Sequence, residues 1–152
     1  GFIGSNFVRH ILDKYSDYTV TVLDALTYAG NLENLKALEG STRYTFLKGD
    51  IRDRDDIEKA GKGIDVVINF AAETHVDRSI LGASDFITTN INGIYLLLEY
   101  AKQKNIRMVQ VSSDEVYGSI LLGGFTEAAR LNPSSPYSAS KACGDMLGLA
   151  YF

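Results

Sequence analysis

Cysteine is nearly absent. Cys143 is the only one among 152 residues, so no disulfide can form within the chain. A reducing, cytoplasmic setting is the simplest reading, with Cys143 expected as a buried, inert thiol. Also missing is any apolar run approaching the ~20 residues that cross a bilayer, so no membrane partner is expected. There is no basic excess: 15 Lys and Arg stand against 19 Asp and Glu, a formal charge of −4. The two signs are interspersed, which leaves no basic stripe for a nucleic acid. Repeats, linkers and low-complexity tracts are lacking. The chain has neither an initiator methionine nor a signal-peptide pattern, and no stop signal follows its last helical residues. These absences lead to the expectation of a piece cut at both ends. What remains is 45% apolar and 22% charged, in keeping with one globular domain.

Helical spacing of Phe7, Val8, Ile11 and Leu12 predicts a helix over Ser5–Lys14. Thr19–Asp24 and Tyr44–Leu47 read as strands. Asn31–Glu39 reads as a helix, and Asp53 can cap a short helix to about Ala60. Asp65–Phe70 is a nearly continuous apolar strand, of the kind buried on both faces of a parallel sheet. One long helix is predicted over Ala83–Gln103 and a fourth strand over Met108–Ser113. Gly118–Asn132 reads as loop, before a helix capped by Ser135 with Pro136 in its first turn. Regular alternation implies parallel strands, right-handed crossovers and helices on both faces, an α/β fold.

Four clusters carry chemistry. Gly1-Phe2-Ile3-Gly4, at a helix start, lets backbone amides face a pyrophosphate. Asp24 ends the next strand 20 residues after Gly4, where a carboxylate can accept both hydroxyls of an adenosine ribose. The competing reading of Asp24 is a turn aspartate capping its own backbone. Aspartate with no nearby arginine favours NAD over NADP. Asp50-Ile51, at the following strand end, is placed to hold an adenine edge. Ala71-Ala72-Glu73-Thr74-His75 follows the third strand; its small residues let a flat cofactor pack on the backbone, and His75 stands at the ligand edge of the sheet. Asp114 and Glu115 are adjacent acids at the fourth strand's end. They are either solvated loop acids or, in a cleft, a pair able to divide acid and base work. In Tyr137-Ser138-Ala139-Ser140-Lys141 the first and last residues share a helix face. The ammonium there would lower a phenol pKa of ~10, so that Tyr137 takes a proton from a sugar hydroxyl as hydride leaves the same carbon.

Together these residues resemble the extended short-chain dehydrogenase/reductase superfamily, whose sheet is a Rossmann-like doubly wound one. More narrowly, Gly-Phe-Ile-Gly-Ser-Asn (1–6), His-Val-Asp-Arg-Ser-Ile (75–80), Ser-Ser-Asp-Glu-Val-Tyr-Gly (112–118) and Ser-Pro-Tyr-Ser-Ala-Ser-Lys-Ala (135–142) resemble the dTDP-glucose 4,6-dehydratase family along essentially the whole chain. Asp114-Glu115 is the most specific element. Related epimerases, decarboxylases and GDP-mannose dehydratases usually differ there.

The resemblance implies NAD as cofactor and a nucleotide sugar, dTDP-glucose or a relative, as substrate, and it calls for no metal. It implies that Tyr137 and Lys141 serve oxidation at C4, that Glu115 removes the C5 proton, and that Asp114 protonates the departing C6 hydroxyl. Ser113 and His75 would hold the sugar. Lys141 would also bond the nicotinamide ribose, with Thr27, Thr74 and Thr89 lining the cofactor site. A homodimer of the full-length protein is implied through the helices at 83–103 and 136–152. The sequence departs from the family pattern in Ser113, where threonine is usual, and in Leu81-Gly82-Ala83, where proline is frequent. It also departs in lacking a first strand and first glycine before Gly1, and a C-terminal substrate domain. Losing a central strand leaves neighbouring edges unpaired, so the piece alone is expected to be poorly stable and inactive. Two alternatives stand beside the dehydratase: a nucleotide-sugar 4-epimerase or other superfamily member, and a non-catalytic NAD-binding module.

Overall fold

The computed structural model describes residues 1–152, which divide into two compact units, Gly1–Ile64 and Asp65–Phe152. In the first unit, α1 (Phe2–Lys14) precedes β1 (Val20–Asp24), a 3-10 helix (Leu32–Leu38), β2 (Tyr44–Lys48) and α2 (Arg54–Ala60). β1 and β2 pair in parallel, with Val20 opposite Tyr44 and Asp24 opposite Lys48. The core is the inward stripe of α1, Val8 and Leu12, with Leu35, and Val20, Val22, Leu38 and Tyr44 pack against it. Arg43 fastens the C-terminal end of α1 by donating to the carbonyls of Leu12 and Tyr15 at 3.0 and 2.8 Å. Asp53 caps α2, accepting from the amides of Asp55 and Asp56, as its position predicts. Two expectations change here. α1 begins three residues earlier than Ser5, and the segment expected as an α-helix over 31–39 is a 3-10 helix capped by Asn31.

The second unit contains β3 (Val66–Asn69), α3 (Val76–Leu81), α4 (Ser84–Ile87), a π turn (Thr88–Gly93), α5 (Ile94–Lys104) and β4 (Arg107–Gln110). A one-turn 3-10 helix (Asp114–Tyr117) and α6 (Pro136–Tyr151) complete it. β3 and β4 are parallel, Val66 opposite Arg107. Of the stripe expected to face inward, Phe86, Ile94, Leu97, Leu98 and Ala101 are buried and Ile91 is half-buried, but Ile87 is exposed; Tyr100, outside that stripe, and Ala142 of α6 are buried as well. That stripe does not make one helix. Its middle widens into the π turn, which buries Asn90 completely. α3 was not foreseen; His-Val-Asp-Arg-Ser-Ile carries too few apolar positions to show a helical period. Ser135 and Ser138 form a reciprocal capping box at the start of α6, with Pro136 in the first turn. Cys143 is half-buried rather than buried. No helix is long and apolar enough to cross a membrane.

Candidate functional site

In the first unit, Gly1 stands at the N-cap of α1 with no side-chain cap, and no acidic residue lies in the first turn. The unpaired amides of that turn are available to an anion. Asp24 sits beside this turn: its Oδ2 is 3.4 Å from the Gly1 nitrogen. Its Oδ1 accepts from the Leu26 amide at 2.8 Å. The turn-capping reading of Asp24 is therefore realised, and it leaves the second oxygen facing the glycine turn. Asp50 is less free than expected. Arg52 donates to both of its oxygens, at 2.7 to 3.1 Å, and these bonds hold the Asp50 carboxyl below the usual carboxylate range. Ile51 is buried and Thr27 exposed. An uncapped helix start with a carboxylate beside it fits the adenosine-pyrophosphate end of a dinucleotide; Asp50 joins in only by releasing Arg52.

In the second unit the segment after β3 is fixed by two buried asparagines. Asn69 accepts from the Ala71 amide and donates to Gln110 of β4. Asn90 accepts from the Glu73 amide and donates to the Glu73 carbonyl, both at 2.9 Å. It donates as well to the Ser140 hydroxyl at 2.9 Å, and Ser140 donates to the Tyr137 carbonyl. One side chain thus joins residues 71–75, the π turn that contains Thr89, and α6. Asn90 was not singled out from the sequence; a non-capping amide inside an apolar stripe was the available signal. Glu73, also passed over, is buried, and its enclosed Oε2 accepts no hydrogen bond. Thr74 and His75 are exposed, and His75 occupies the N-cap of α3. Ser79 of α3 accepts from the Tyr137 amide at 3.0 Å.

Tyr137 is buried, its ring edge-on to Phe86 with centroids 6.3 Å apart. Lys141, one turn further, is only 4% exposed. Its Nζ donates to the Val111 carbonyl at 2.5 Å, and no hydrogen bond joins it to the Tyr137 phenol. Burial pushes the Lys141 pKa down, and the nearby Asp145 carboxylate partly opposes the shift. The expected acids lie close by. Ser113 caps the 3-10 turn of 114–117, accepting from the Glu115 amide and donating to Asp114 Oδ1. Asp114 is exposed, Glu115 half-buried, and neither carboxylate is in an ion pair. This turn packs against α6. The turn that carries Asp114 and Glu115 therefore lies against the helix that carries Tyr137 and Lys141. Gly118 closes the turn with φ +85°; a Cβ there would stand 2.4 Å from the Asn132 carbonyl oxygen.

A tyrosine and a buried lysine one turn apart thus stand on the helix against which a turn of two adjacent acids packs, after the carboxyl end of a parallel pair. Residues 1–152 match the family model described as GDP-mannose 4,6 dehydratase, and the chain belongs to that family. It is 52% identical over 154 residues to a dTDP-glucose 4,6-dehydratase of Streptomyces griseus, covering 99% of this chain and 47% of that protein. It is 51% identical to the low-salt glycan biosynthesis protein Agl12 of Haloferax volcanii, covering 99% and 49%. DesIV, a dTDP-glucose 4,6-dehydratase of Streptomyces venezuelae crystallised with NAD, superposes with a TM-score of 0.94 at 50% identity, over 99% of this chain and 48% of that one. A Thermus thermophilus UDP-glucose 4-epimerase, also with NAD, gives 0.88 at 30% identity, over 99% and 48%. The chain spans about half the length of the curated relatives it matches.

Proposed function

We propose that this chain is the nucleotide-binding part of a longer, NAD-dependent dehydratase that converts dTDP-glucose to its 4-keto-6-deoxy form. The carrying observation is the packing of the Asp114–Glu115 turn against the helix of Tyr137 and Lys141. Similarity to dTDP-glucose 4,6-dehydratases supports the choice of sugar nucleotide. NAD held by the residues named below would supply reversible hydride transfer to and from the hexose.

Everything else falls to the protein's own groups. Gly1 to Gly4 and Asp24 hold the adenosine end, with Thr27, Asp50 and Ile51 nearby. Ala71, Ala72, Thr74 and Thr89 line the cofactor in the second unit, and Lys141 also bonds the nicotinamide ribose. Tyr137, with Lys141 one helical turn away, takes the C4 hydroxyl proton. The resulting ketone acidifies C5–H, which Glu115 removes. Asp114 gives its proton to the C6 hydroxyl, which leaves as water. Ser113 and His75 orient the hexose.

The test uses the full-length protein with dTDP-glucose and UDP-glucose, its products weighed by mass spectrometry. A product lighter by one water from dTDP-glucose supports the proposal; an unchanged mass with an inverted C4 supports the epimerase, the second reading that the fold likeness keeps open. Glu115→Gln separates them further. A dehydratase loses about a hundredfold or more in product formation, as for removal of a general base, whereas an epimerase keeps its rate. We propose in addition a homodimer through α5 and α6 and a cytoplasmic setting. Exposed Tyr95, Met146 and Leu149 on those helices support the first, and light scattering of the full-length protein measures it.

A further inference from the structure

Beyond β4, the chain leaves the sheet, and two consecutive residues there are fastened to one face of α6. The Val111 carbonyl accepts from Lys141 Nζ at 2.5 Å. The Ser112 hydroxyl donates to the Asp145 carboxylate in a short hydrogen bond. Tyr137, Lys141 and Asp145 succeed one another at intervals of four, so they share that face. Ser113, the next residue along, caps the turn of Asp114 and Glu115.

We infer that Asp145 is a positioning residue: by holding Ser112 it sets the turn bearing Asp114 and Glu115 in register with Tyr137 and Lys141. The geometry is independent of the substrate; the catalytic consequence rests on the dehydratase reading. A single attachment, Lys141 to Val111, allows the departing strand to pivot about it. A second attachment one residue on and one helical turn away removes that rotation. The Val111 amide, bonded to the Asn69 carbonyl at 3.1 Å, anchors the strand before this point, so the path from sheet to acid pair depends on Ser112. The surroundings of Asp145 argue against a packing role. It borders a groove whose other walls are Leu98, Met108, Gln110, Gly148, Leu149 and Phe152, where an apolar side chain would suit better. The carboxylate has two polar neighbours instead, the Ser112 hydroxyl whose bond it accepts and the Lys141 ammonium, and Asp145→Asn separates the bond from the charge.

The experiment compares Ser112→Ala, Asp145→Ala and the double variant in the full-length protein, with Ser112→Thr and Asp145→Asn as conservative controls. Amide hydrogen exchange is read at Val116 and Gly118, whose bonds to the Ser113 and Glu115 carbonyls close the turn. Each alanine variant is expected to speed exchange there while leaving the amides of Val66–Asn69 unchanged. kcat is expected to fall about tenfold to a hundredfold, the cost of misplacing reacting groups by an ångström or less, with KM nearly constant. The double variant is expected to be no worse than either single one, because both break the same bond. The two conservative controls recover most of the loss. Additive losses, or unchanged exchange at Val116 and Gly118, overturn the inference. Should the wild-type protein form no keto-deoxy product, the dehydratase reading falls, and the exchange measurements still decide the role of Asp145.

Discussion

Lys141 is a cation almost withdrawn from water with one carbonyl as its hydrogen-bond partner. Its folded pKa is depressed, while an unfolded lysine titrates near ~10.4. Between those two values the unfolded chain holds more protons, so this group makes stability rise with pH across the window and level off above it. Melting of the full-length protein as pH approaches ~10.4 from below is expected to show that rise, and Lys141→Met to flatten it while abolishing oxidation at C4. Asn90 sits at the opposite extreme, neutral and fully enclosed. Asn90→Ala strands the Glu73 amide and carbonyl without partners, an expected loss of about 2–6 kcal/mol at ~1–3 kcal/mol for each orphaned group. Urea unfolding of the full-length protein measures it. The sequence singled out Tyr137, Lys141, Asp114 and Glu115 because their spacing is local. It did not show Asn90 or Asp145, whose partners are 17 to 50 residues and 33 residues away.

At the scale of elements, local signals were read well where the chain satisfies itself. Asp53 and Ser135 cap α2 and α6 as expected, and the β-branched runs became parallel strands. Continuity was misread: the stripe from Phe86 to Ala101 keeps its apolar face through a π turn, so periodicity could not reveal the change of winding. α6 offers a contrast within one helix. A Cβ on Gly144 would lie 2.6 Å from Ile94 Cδ1 and 3.2 Å from the Asn90 carbonyl, whereas nothing lies within 4 Å of one on Gly148. Gly144→Ala is therefore expected to destabilise by about 1–3 kcal/mol through overpacking. Gly148→Ala is expected to stabilise the helix by about 0.8–1 kcal/mol. The same urea titrations separate the two signs. Near the end of α6, Tyr151 donates to Glu99 of α5 at 2.5 Å, and this bond pushes the phenol up to about 12. Ultraviolet titration is expected to find that late phenol, and Glu99→Gln to return it toward ~10.

At the scale of the molecule, each unit has a single two-stranded parallel pair, an arrangement normally covered on both faces. Here Val109 is 50% and Ile68 38% exposed, and Leu149 and Phe152 are more so. The 152-residue chain alone is therefore expected to melt broadly and bind a hydrophobic dye. Circular dichroism with NAD titration checks it; a sharp melt with micromolar affinity would count against the need for further chain. The α/β class was legible because alternation of elements is written in composition. The division into two units was not, because it depends on which strands find neighbours.

The bond from the Asn132 amide to the Val116 carbonyl, together with the close approach of Gly118, pinches shut the excursion between them. Phe125 within it stacks on Tyr117 of the acid-bearing turn, whereas Leu121 and Leu122 at its tip are almost wholly in solvent. Closure entropy grows only slowly with length. The tip around Leu121 and Leu122 is thus a cassette: residues can be inserted, exchanged or diversified there while the Tyr117–Phe125 stack keeps its hold on the acid-bearing turn.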